Sequence, residues 1–425
     1  MKVLVVGSGG REHAVIMKLK ESKDIDEIVC APGNGGISAI ARCVNVKATN
    51  IEGMKKLALD EQVGFCVVTP DDPLALGMVD ALEEAGIPCF GPRKDAAIIE
   101  ASKAFSKELM KKYNIPTASY EIFDDASKAM AYIKERNEYP TVIKADGLAL
   151  GKGVLIATSE QEAMDAINQM MVDKAFGDSG NKVVVEEFMQ GTEVSVLAFT
   201  DGKTIKPMVS SMDHKRANDN DEGLNTGGMG TIAPSPLYTD DIAKTCMDAI
   251  FVPTMEAMNK EGRTFKGCLY FGLMLTEKGP RVVEYNCRFG DPETQVVLPL
   301  LESDLFTIMK ACHDETLSDV DVKWSNESAA CVIEASGGYP LAYEKGFAIK
   351  GLDENGQHEG IVVYHAGTKK ENNVYYTNGG RVLGLMAKGD TLEEALDKAY
   401  AATKEVGFEK MHYRTDIGKK LRKAQ

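Results

Sequence analysis

Lys144 and Lys152 stand eight residues apart in KADGLALGKGV (144–154), with Gly147, Gly151 and Gly153 set among them. Glycines let backbone amides close on phosphate oxygens while lysines neutralise their charge, so the run suits a phosphate cradle. It does not spell the P-loop, G-x-x-x-x-G-K-[ST]: Gly147 and Gly151 are one position too close, and Gly153 replaces the magnesium-binding hydroxyl. TVIKA before it and GVLIA after it read as strands, so the loop joins two antiparallel strands where a P-loop would join a strand to a helix. A flexible hairpin with solvated lysines is the plainer account of the loop alone.

Further clusters add to it. In VVVEEFMQGTEVS (183–195), Glu186 and Glu193 flank a turn at Gln190 and Gly191. Carboxylates beside a phosphate cradle do not bind phosphate; they can accept hydrogen bonds from an adenine amine and ribose hydroxyls, although alternating Glu on a strand is often just its wet face. In VVEYNCRFGDPET (282–294), Glu284 and Asn286 are two apart, so their side chains leave one strand face. Paired hard oxygens suit Mg²⁺ shared with substrate phosphates. Arg288 continues that face if the strand persists, and adds a fork for phosphate or carboxylate. SSMDHKRANDNDEGLNTGGMG (210–230) is too charged and glycine-rich for a core; it reads either as a disordered surface loop or as a substrate lid. GSGGREH (7–13) offers backbone N–H groups at a helix start, an anion site with Arg11 beside it. It fails the dinucleotide fingerprint, because Glu12 holds the third glycine's place and Ala31-Pro32 stands where the ribose-binding acid belongs. A nicotinamide dehydrogenase is disfavoured.

These clusters need elements to hold them. KVLVV (2–6), EIVC (27–30), FCVVT (65–69) and IPCF (87–90) are strand candidates, separated by helices over Arg11–Glu21, Ile51–Asp60 and Pro73–Ala85. That alternation predicts a doubly wound parallel sheet, with GSGG, APGNGG and TPDDP at the strand ends where such sheets bind ligands. A long helix over 94–113 leads into a β-α-β-loop-β-α-β unit, then a β-rich stretch (EVSVLAFT, KTIKPMVS, CLYFGLMLTE, PRVVEYN). Trp324 and Ser325 mark a boundary before a last α+β unit ending in a helix from Leu392. The expected division is 1–101, 102–190, 191–325 and 326–425.

Composition bounds the rest. The chain has 425 residues, too many for one core, and a net charge of −15 that argues against a nucleic-acid or anionic-membrane partner. The first residues lack a signal-peptide apolar core, and no apolar run reaches the length of a membrane span. Nine scattered cysteines with no C-x-x-C suit reduced thiols, so the expected setting is the cytoplasm.

VLVVGSGGREHA, APGNGG, FGPRKDAA, SKAFSKELM, KADGLALGKGV, VVVEEF, MDHKR, NTGGMG, EYNCRFGDPETQ and TNGGRVLG occur in this order across nearly the whole chain. In them the protein resembles the phosphoribosylamine–glycine ligases (glycinamide ribonucleotide synthetases), ATP-grasp enzymes of purine synthesis. The resemblance implies an N-terminal α/β substrate domain, an ATP-grasp core of a small glycine-loop subdomain and a larger metal-bearing one, and a C-terminal α+β domain. It implies ATP, Mg²⁺ or Mn²⁺, glycine and 5-phosphoribosylamine as ligands, and a monomer. Lys103, Lys144 and Lys152 would meet the triphosphate, covered by Gly147, Gly151 and Gly153. Glu186, Glu187 and Phe188 would hold adenine, Glu193 the ribose, and Glu284 with Asn286 the metal. Arg288 would contact the transferred phosphoryl group. Ribose phosphate would sit on Gly9, Gly10, Arg11, Glu12, Gly33 and Asn34, with His214, Lys215, Asn225, Thr226 and Gly227 completing the substrate wall. Asp213 and Asp291 would face the glycine ammonium. The sequence departs from the family pattern at TPDDP, Met212, Leu224 and Tyr285, and offers no carboxylate near Gly272. A related ATP-grasp carboxylase and a nucleotide-binding sensor are the rival functions.

Overall fold

The computed structural model describes residues 1–148 and 153–419. Five parallel strands open it in the order β3-β2-β1-β4-β5: β1 (Lys2–Gly7), β2 (Glu27–Pro32), β3 (Arg42–Cys43), β4 (Phe65–Val68) and β5 (Cys89–Phe90). KVLVV is apolar throughout because both faces are covered: Val3 and Val5 enter one core, Leu4 and Val6 the other. Helix α1 (Gly10–Leu19) begins directly after the first strand turn and α2 (Ile51–Asp60) occupies the expected span. The two-residue β3 was not foreseen.

Two expected helices are broken, each for a local reason. The 73–85 stretch is α3 (Asp71–Leu76) and α4 (Met78–Glu84), divided at Gly77, whose φ of +95° is left-handed. The 94–113 stretch is α5 (Lys94–Ala101) and α6 (Lys103–Lys112). Between them Ser102 is extended, and its hydroxyl accepts from Phe105 N, restarting the helix with a cap.

The next unit is a small lobe with its own core. Its antiparallel sheet has the order β6-β9-β7-β8, from β6 (Tyr120–Phe123), β7 (Thr141–Ala145), β8 (Val154–Ala157) and β9 (Val183–Glu187). Helices α7 (Ala126–Arg136) and α8 (Glu160–Ile167) pack against each other beside it. The glycine loop joins antiparallel β7 and β8, as the sequence predicts. A larger antiparallel sheet follows, in the order β11-β10-β16-β17. Its β10 (Thr192–Thr200) and β11 (Ile205–Pro207) precede three short strands, β12 (Met212–Asp213), β13 (Arg216–Asn218) and β14 (Glu222–Asn225). β15 (Gly230–Ala233), β16 (Gly267–Thr276) and β17 (Gly279–Asn286) complete this region. Along β10, Val194 and Val196 join one N-terminal core while Leu197 and Phe199 join the other, so the larger lobe and the first domain are packed as one body.

The stretch 213–230, expected as a disordered loop or a lid, is an ordered ribbon in which β13 pairs with β14. The C-terminal sheet draws on it too: β12 and β15 pair alongside β18 (Ser328–Ser336). The chain continues through β19 (Val362–His365), the β20–β21 hairpin (Thr368–Glu371, Val374–Thr377), β22 (Arg381–Gly389) and β23 (Met411–His412). A helix over Leu392–Ala402 lies on β22 and β18. Among the described residues no helix is long and apolar enough to cross a membrane, and all nine cysteines are free.

Glu334 on β18 is fully buried, and neither carboxylate oxygen has a hydrogen-bond partner. Burial holds its carboxyl well above the ordinary value of 4.5, so the fold keeps a proton that the unfolded chain releases above that pH. The resulting stability is complete in acid and is lost as pH rises toward the folded value. Glu334→Gln, which is neutral at all pH, is therefore expected to raise the melting temperature more at pH 8 than at pH 5. Equal shifts at the two pH values would contradict this.

Candidate active site

A cleft of about 1000 Å³ lies between the small lobe and the larger sheet, with the first domain and C-terminal residues closing one end. Its small-lobe wall is built on β7, β9 and α6. Val142 pairs with Glu186 across β7 and β9, and Lys144 follows two residues on. One Glu186 oxygen receives both Lys144 Nζ, at 3.1 Å, and Lys107 Nζ, at 3.0 Å. Lys144 Nζ also donates to Val283 O, and Lys107 Nζ to Thr117 Oγ1. Burial brings Lys107 down to about 8, against the pull of Glu186. The second Glu186 oxygen is buried without a partner, a free acceptor on a residue that lines the cleft.

The glycine loop is anchored at both described ends. Lys103 Nζ donates to Gly147 O at 2.7 Å, and Ala145 N donates to Gly153 O at 2.8 Å. Gly147 has φ of +135°, and a Cβ there would lie 2.5 Å from Ser179 Oγ. Gly151 and Lys152 lie outside the described residues. Asp146, which spacing did not single out, accepts from Ser102 Oγ and Ala104 N and ties the loop to the break between α5 and α6. Phe188 and Glu193 line the cleft. Glu187 does not: its carboxylate pairs with Arg281 Nη1 at 2.6 Å and accepts from Ser119 Oγ, because alternate β9 side chains leave opposite faces. The Glu187 side chain therefore takes no part in the cleft.

Glu284 and Asn286 face these lysines from β17. The strand ends at Asn286, so the condition under which Arg288 would share their face is not met; Arg288 reaches the cleft from the following turn. Its Nη2 pairs with Glu100 at 2.9 Å, and Glu100 also accepts from Cys287 N. With its amide oriented by the surrounding donors and acceptors, Asn286 donates to the other Glu100 oxygen, Oε1, at 2.9 Å, leaving its own oxygen as an acceptor. Burial alone would raise the Glu284 carboxyl, but Lys215, Lys144, Lys103 and Arg288 outweigh it and bring it down to about 2. Lys215 Nζ is 3.4 Å from Glu284 and 3.8 Å from Glu193. Among the described residues no three His, Cys, Asp or Glu side chains group to cage a metal. One ionised carboxylate and one amide oxygen fit an ion that takes its remaining ligands from phosphate and water, the habit of Mg²⁺.

At the other end the sequence expectations separate. Arg11 lines the cleft, with Nε on Glu12 Oε1 at 2.6 Å and Nη1 on Phe289 O. Glu12 is spent internally, accepting from Gly9 N, Arg11 and Thr69 Oγ1. Gly9 approaches the cleft, since a Cβ there would lie 3.1 Å from Asp291 Oδ2; one at Gly10 would meet the Gln295 amide at 2.7 Å. Gly33 and Asn34 are not cleft residues. Asn34 donates to Ser8 O and His365 O and accepts from Ile37 N, so it fastens two strand turns to the C-terminal region. Asp213, Lys215, Asn225, Thr226 and Gly227 do line the cleft. His214 also borders it, but both ring nitrogens are engaged, Nδ1 with Gly230 O and Nε2 with Gly418 N. Burial, with Arg414 nearby, lowers its pKa to about 4, so the ring is neutral and structural.

The two acids expected to face an ammonium differ. Asp291 is paired with Arg381 at 3.4 Å and accepts from Gln295 Nε2 at 2.8 Å; burial would raise its pKa, but Arg381 and Arg11 hold it low. Asp213 is pushed well above the carboxylate range by burial and by Glu293. Spacing gave no sign of Lys107, Glu100 or Tyr270. Arg381 was visible only as the end of TNGGR.

Models of the phosphoribosylglycinamide synthetase family match nearly the whole chain: the N domain over residues 1–100, the ATP-grasp (A) domain over 101–294 and the C domain over 329–420. A phosphoribosylamine–glycine ligase from Caldanaerobacter subterraneus subsp. tengcongensis is 47% identical over 417 residues, covering 98% of this chain and 99% of that one. The crystal structure of the phosphoribosylamine–glycine ligase from Thermotoga maritima has a TM-score of 0.84 at 33% identity, covering 98% of this chain and all of the other. The biotin carboxylase domain of Hydrogenobacter thermophilus 2-oxoglutarate carboxylase, solved with MgADP and bicarbonate, has a TM-score of 0.72 at 20% identity over 96% of this chain and 91% of that one, and shares the fold.

Glu100 orders residues 286–288 by three bonds, so removing it leaves the Arg288 guanidinium buried and unpaired. Glu100→Ala is expected to lose about 3–5 kcal/mol of stability in denaturant unfolding. A loss under about 1 kcal/mol, the worth of a surface pair, would show that solvent already screens this one.

Proposed function

The chain belongs to the phosphoribosylglycinamide synthetase family, and from that premise we propose how its cleft works. The protein is an ADP-forming ligase that joins glycine to 5-phosphoribosylamine in purine biosynthesis. The observation that carries the site reading is the Glu284 carboxylate, kept ionised by lysines and an arginine that border one cleft.

ATP lies with its adenine in the small lobe, where the unpartnered Glu186 oxygen accepts the amine and the Phe188 backbone meets the ring edge. Glu193 takes the ribose. Lys103 and Lys144 neutralise the phosphates under the Gly147–Gly153 loop. Glu284 and the Asn286 oxygen would hold Mg²⁺ or Mn²⁺, which when bound offsets charge on the outer phosphates. A glycine carboxylate oxygen attacks the γ-phosphorus and the bond to ADP breaks, giving glycyl phosphate. The amine of phosphoribosylamine then attacks that acyl carbon; phosphate leaves, a proton is released, and the amide is formed. Arg288, held by Glu100, stabilises the moving phosphoryl group. No enzyme nucleophile is needed, because positioning and charge supply the rate.

Asp213 faces the glycine ammonium, whose charge would draw the proton from its raised carboxyl. Asp291, already paired with Arg381, shapes that wall and does not carry it alone. Arg11, Gly9 and Gly10 receive the ribose phosphate. The enzyme acts as a cytoplasmic monomer.

Phosphate release should require ATP, glycine and phosphoribosylamine together, with bicarbonate unable to replace glycine; release with bicarbonate instead would place the chain among carboxylases, and binding without release would make it a sensor. Glu284→Ala should lower kcat by about 10²–10³ in folded protein. Near-normal turnover would remove the metal assignment.

A further inference from the structure

The segment that carries Asp213, Lys215, Asn225 and Thr226 is held largely from the C-terminal domain. Its own bonds are local: Thr226 N and Oγ1 both donate to Lys215 O, and Gly228 N donates to Thr226 Oγ1. None of these reaches Asp291 on the opposite wall. Arg381, the first residue of β22, makes that link. Its Nη1 donates to Gly227 O at 2.7 Å and Asp291 O at 2.8 Å, with Gly228 O at 3.4 Å, and its Nη2 lies 3.4 Å from Asp291 Oδ2. The turn rests on the guanidinium plane, for a Cβ on Gly227 would come within 2.8 Å of Arg381 Cζ. Tyr339, also C-terminal, accepts from Gly227 N through its hydroxyl at 3.1 Å.

A second anchor holds the far end of the ribbon. The fully buried Arg414 donates to Arg216 O at 3.2 Å and Asp221 Oδ1 at 2.9 Å, and is itself fixed by Asp416. Asp416 accepts from Asn220 N at 2.8 Å, and the His412 ring bonds Ala217 O at 2.7 Å.

We propose that Arg381 is a positioning residue for the ligation, setting the 225–228 turn against Asp291 so that the amino-acid wall has one geometry, with Arg414 and Asp416 as its second anchor. The proposal rests on the reading that this wall receives glycine. Its chemistry follows from the acceptors. Carbonyls of two separate segments converge on Nη1 while Nη2 faces the Asp291 carboxylate, so one planar group holds both; a lysine ammonium, a single point on a flexible stem, can stand in for one of these nitrogens and not for both. A displacement of about 1 Å in such a wall costs on the order of 10²-fold in rate. Lys107, Lys144 and Glu186, at the adenine end of the cleft, make none of these contacts.

Steady-state kinetics of the full chain with glycine varied at saturating ATP, and with ATP varied at saturating glycine, test this directly. Arg381→Ala and Arg381→Lys should each lower kcat/KM for glycine by about 10²-fold while the KM for ATP stays at the wild-type value. Added guanidinium ion, at concentrations too low to unfold the protein, should restore activity to Arg381→Ala, and ammonium should not. Where Arg381→Ala does not fold, Asp416→Asn at the second anchor gives the same readout and should show the same glycine-selective loss. A folded variant with wild-type kcat/KM for glycine, or an equal loss toward ATP, would overturn the proposal. If the wild-type protein fails to release phosphate with glycine, the functional reading fails and the clamp with it. The clamp fails alone when the wild type is active and the variants match it.

Discussion

At the base of the cleft two lysines share one carboxylate. Glu186 takes Lys107 and Lys144 on a single oxygen in a setting nearly closed to water. Two buried cations against one anion are an unbalanced charge, and in low dielectric such an excess is costly unless more negative charge arrives. Burial, with Lys144 alongside, brings Lys107 down to about 8. A polyphosphate relieves that excess. The rest of the site follows from the same constraint, since a protein of net charge −15 can hold a triphosphate only where cations are gathered locally and kept apart from the surface acids.

The opposite wall answers with its own balance. Glu284 is surrounded by Lys215, Lys144, Lys103 and Arg288, and so remains ionised despite burial. Arg288 in turn is neutralised by Glu100 from α5, a helix of the first domain. Cations of the small lobe and an acid of the large one thus meet across the space that a nucleotide would fill. The large lobe shares its cores with the first domain, while the small lobe has a core of its own.

Much of this was legible in the sequence where chemistry is local. β-rich runs alternating with helical stretches located the first sheet, strand-like runs on either side of the glycine loop located the β-loop-β unit, and the two-residue spacing of Glu284 and Asn286 placed them on one strand face, as β17 bears out. Interactions between distant segments were not legible. Nothing in the spacing ties Glu100 to Arg288, or Arg381 to Gly227, because each pair is made by tertiary packing across more than a hundred residues. Composition also misled: APGNGG looks like a ligand turn, yet Asn34 has both polar ends bonded within the fold. A polar ribbon full of Asp and Asn reads as a disordered loop or a lid, because Arg414, which binds it, lies about two hundred residues away. Ser102 broke a helix that its neighbours favoured, because a hydroxyl can cap a new start more cheaply than it can sit mid-helix.

That division between local and distant information bears on where specificity resides. The nucleotide end is joined by side-chain charges, with Lys107 of α6 and Lys144 of β7 meeting on Glu186 of β9. The end proposed for the amino acid is assembled from Asp213, Asp291 and Arg381, drawn from three separate stretches and linked largely through backbone carbonyls. A geometry built on carbonyl positions depends on the packing of whole domains, so it changes only when that packing does. On the proposed reading, the wall that would receive the amino acid depends on how the C-terminal sheet docks against the larger lobe, where β15 runs beside β18.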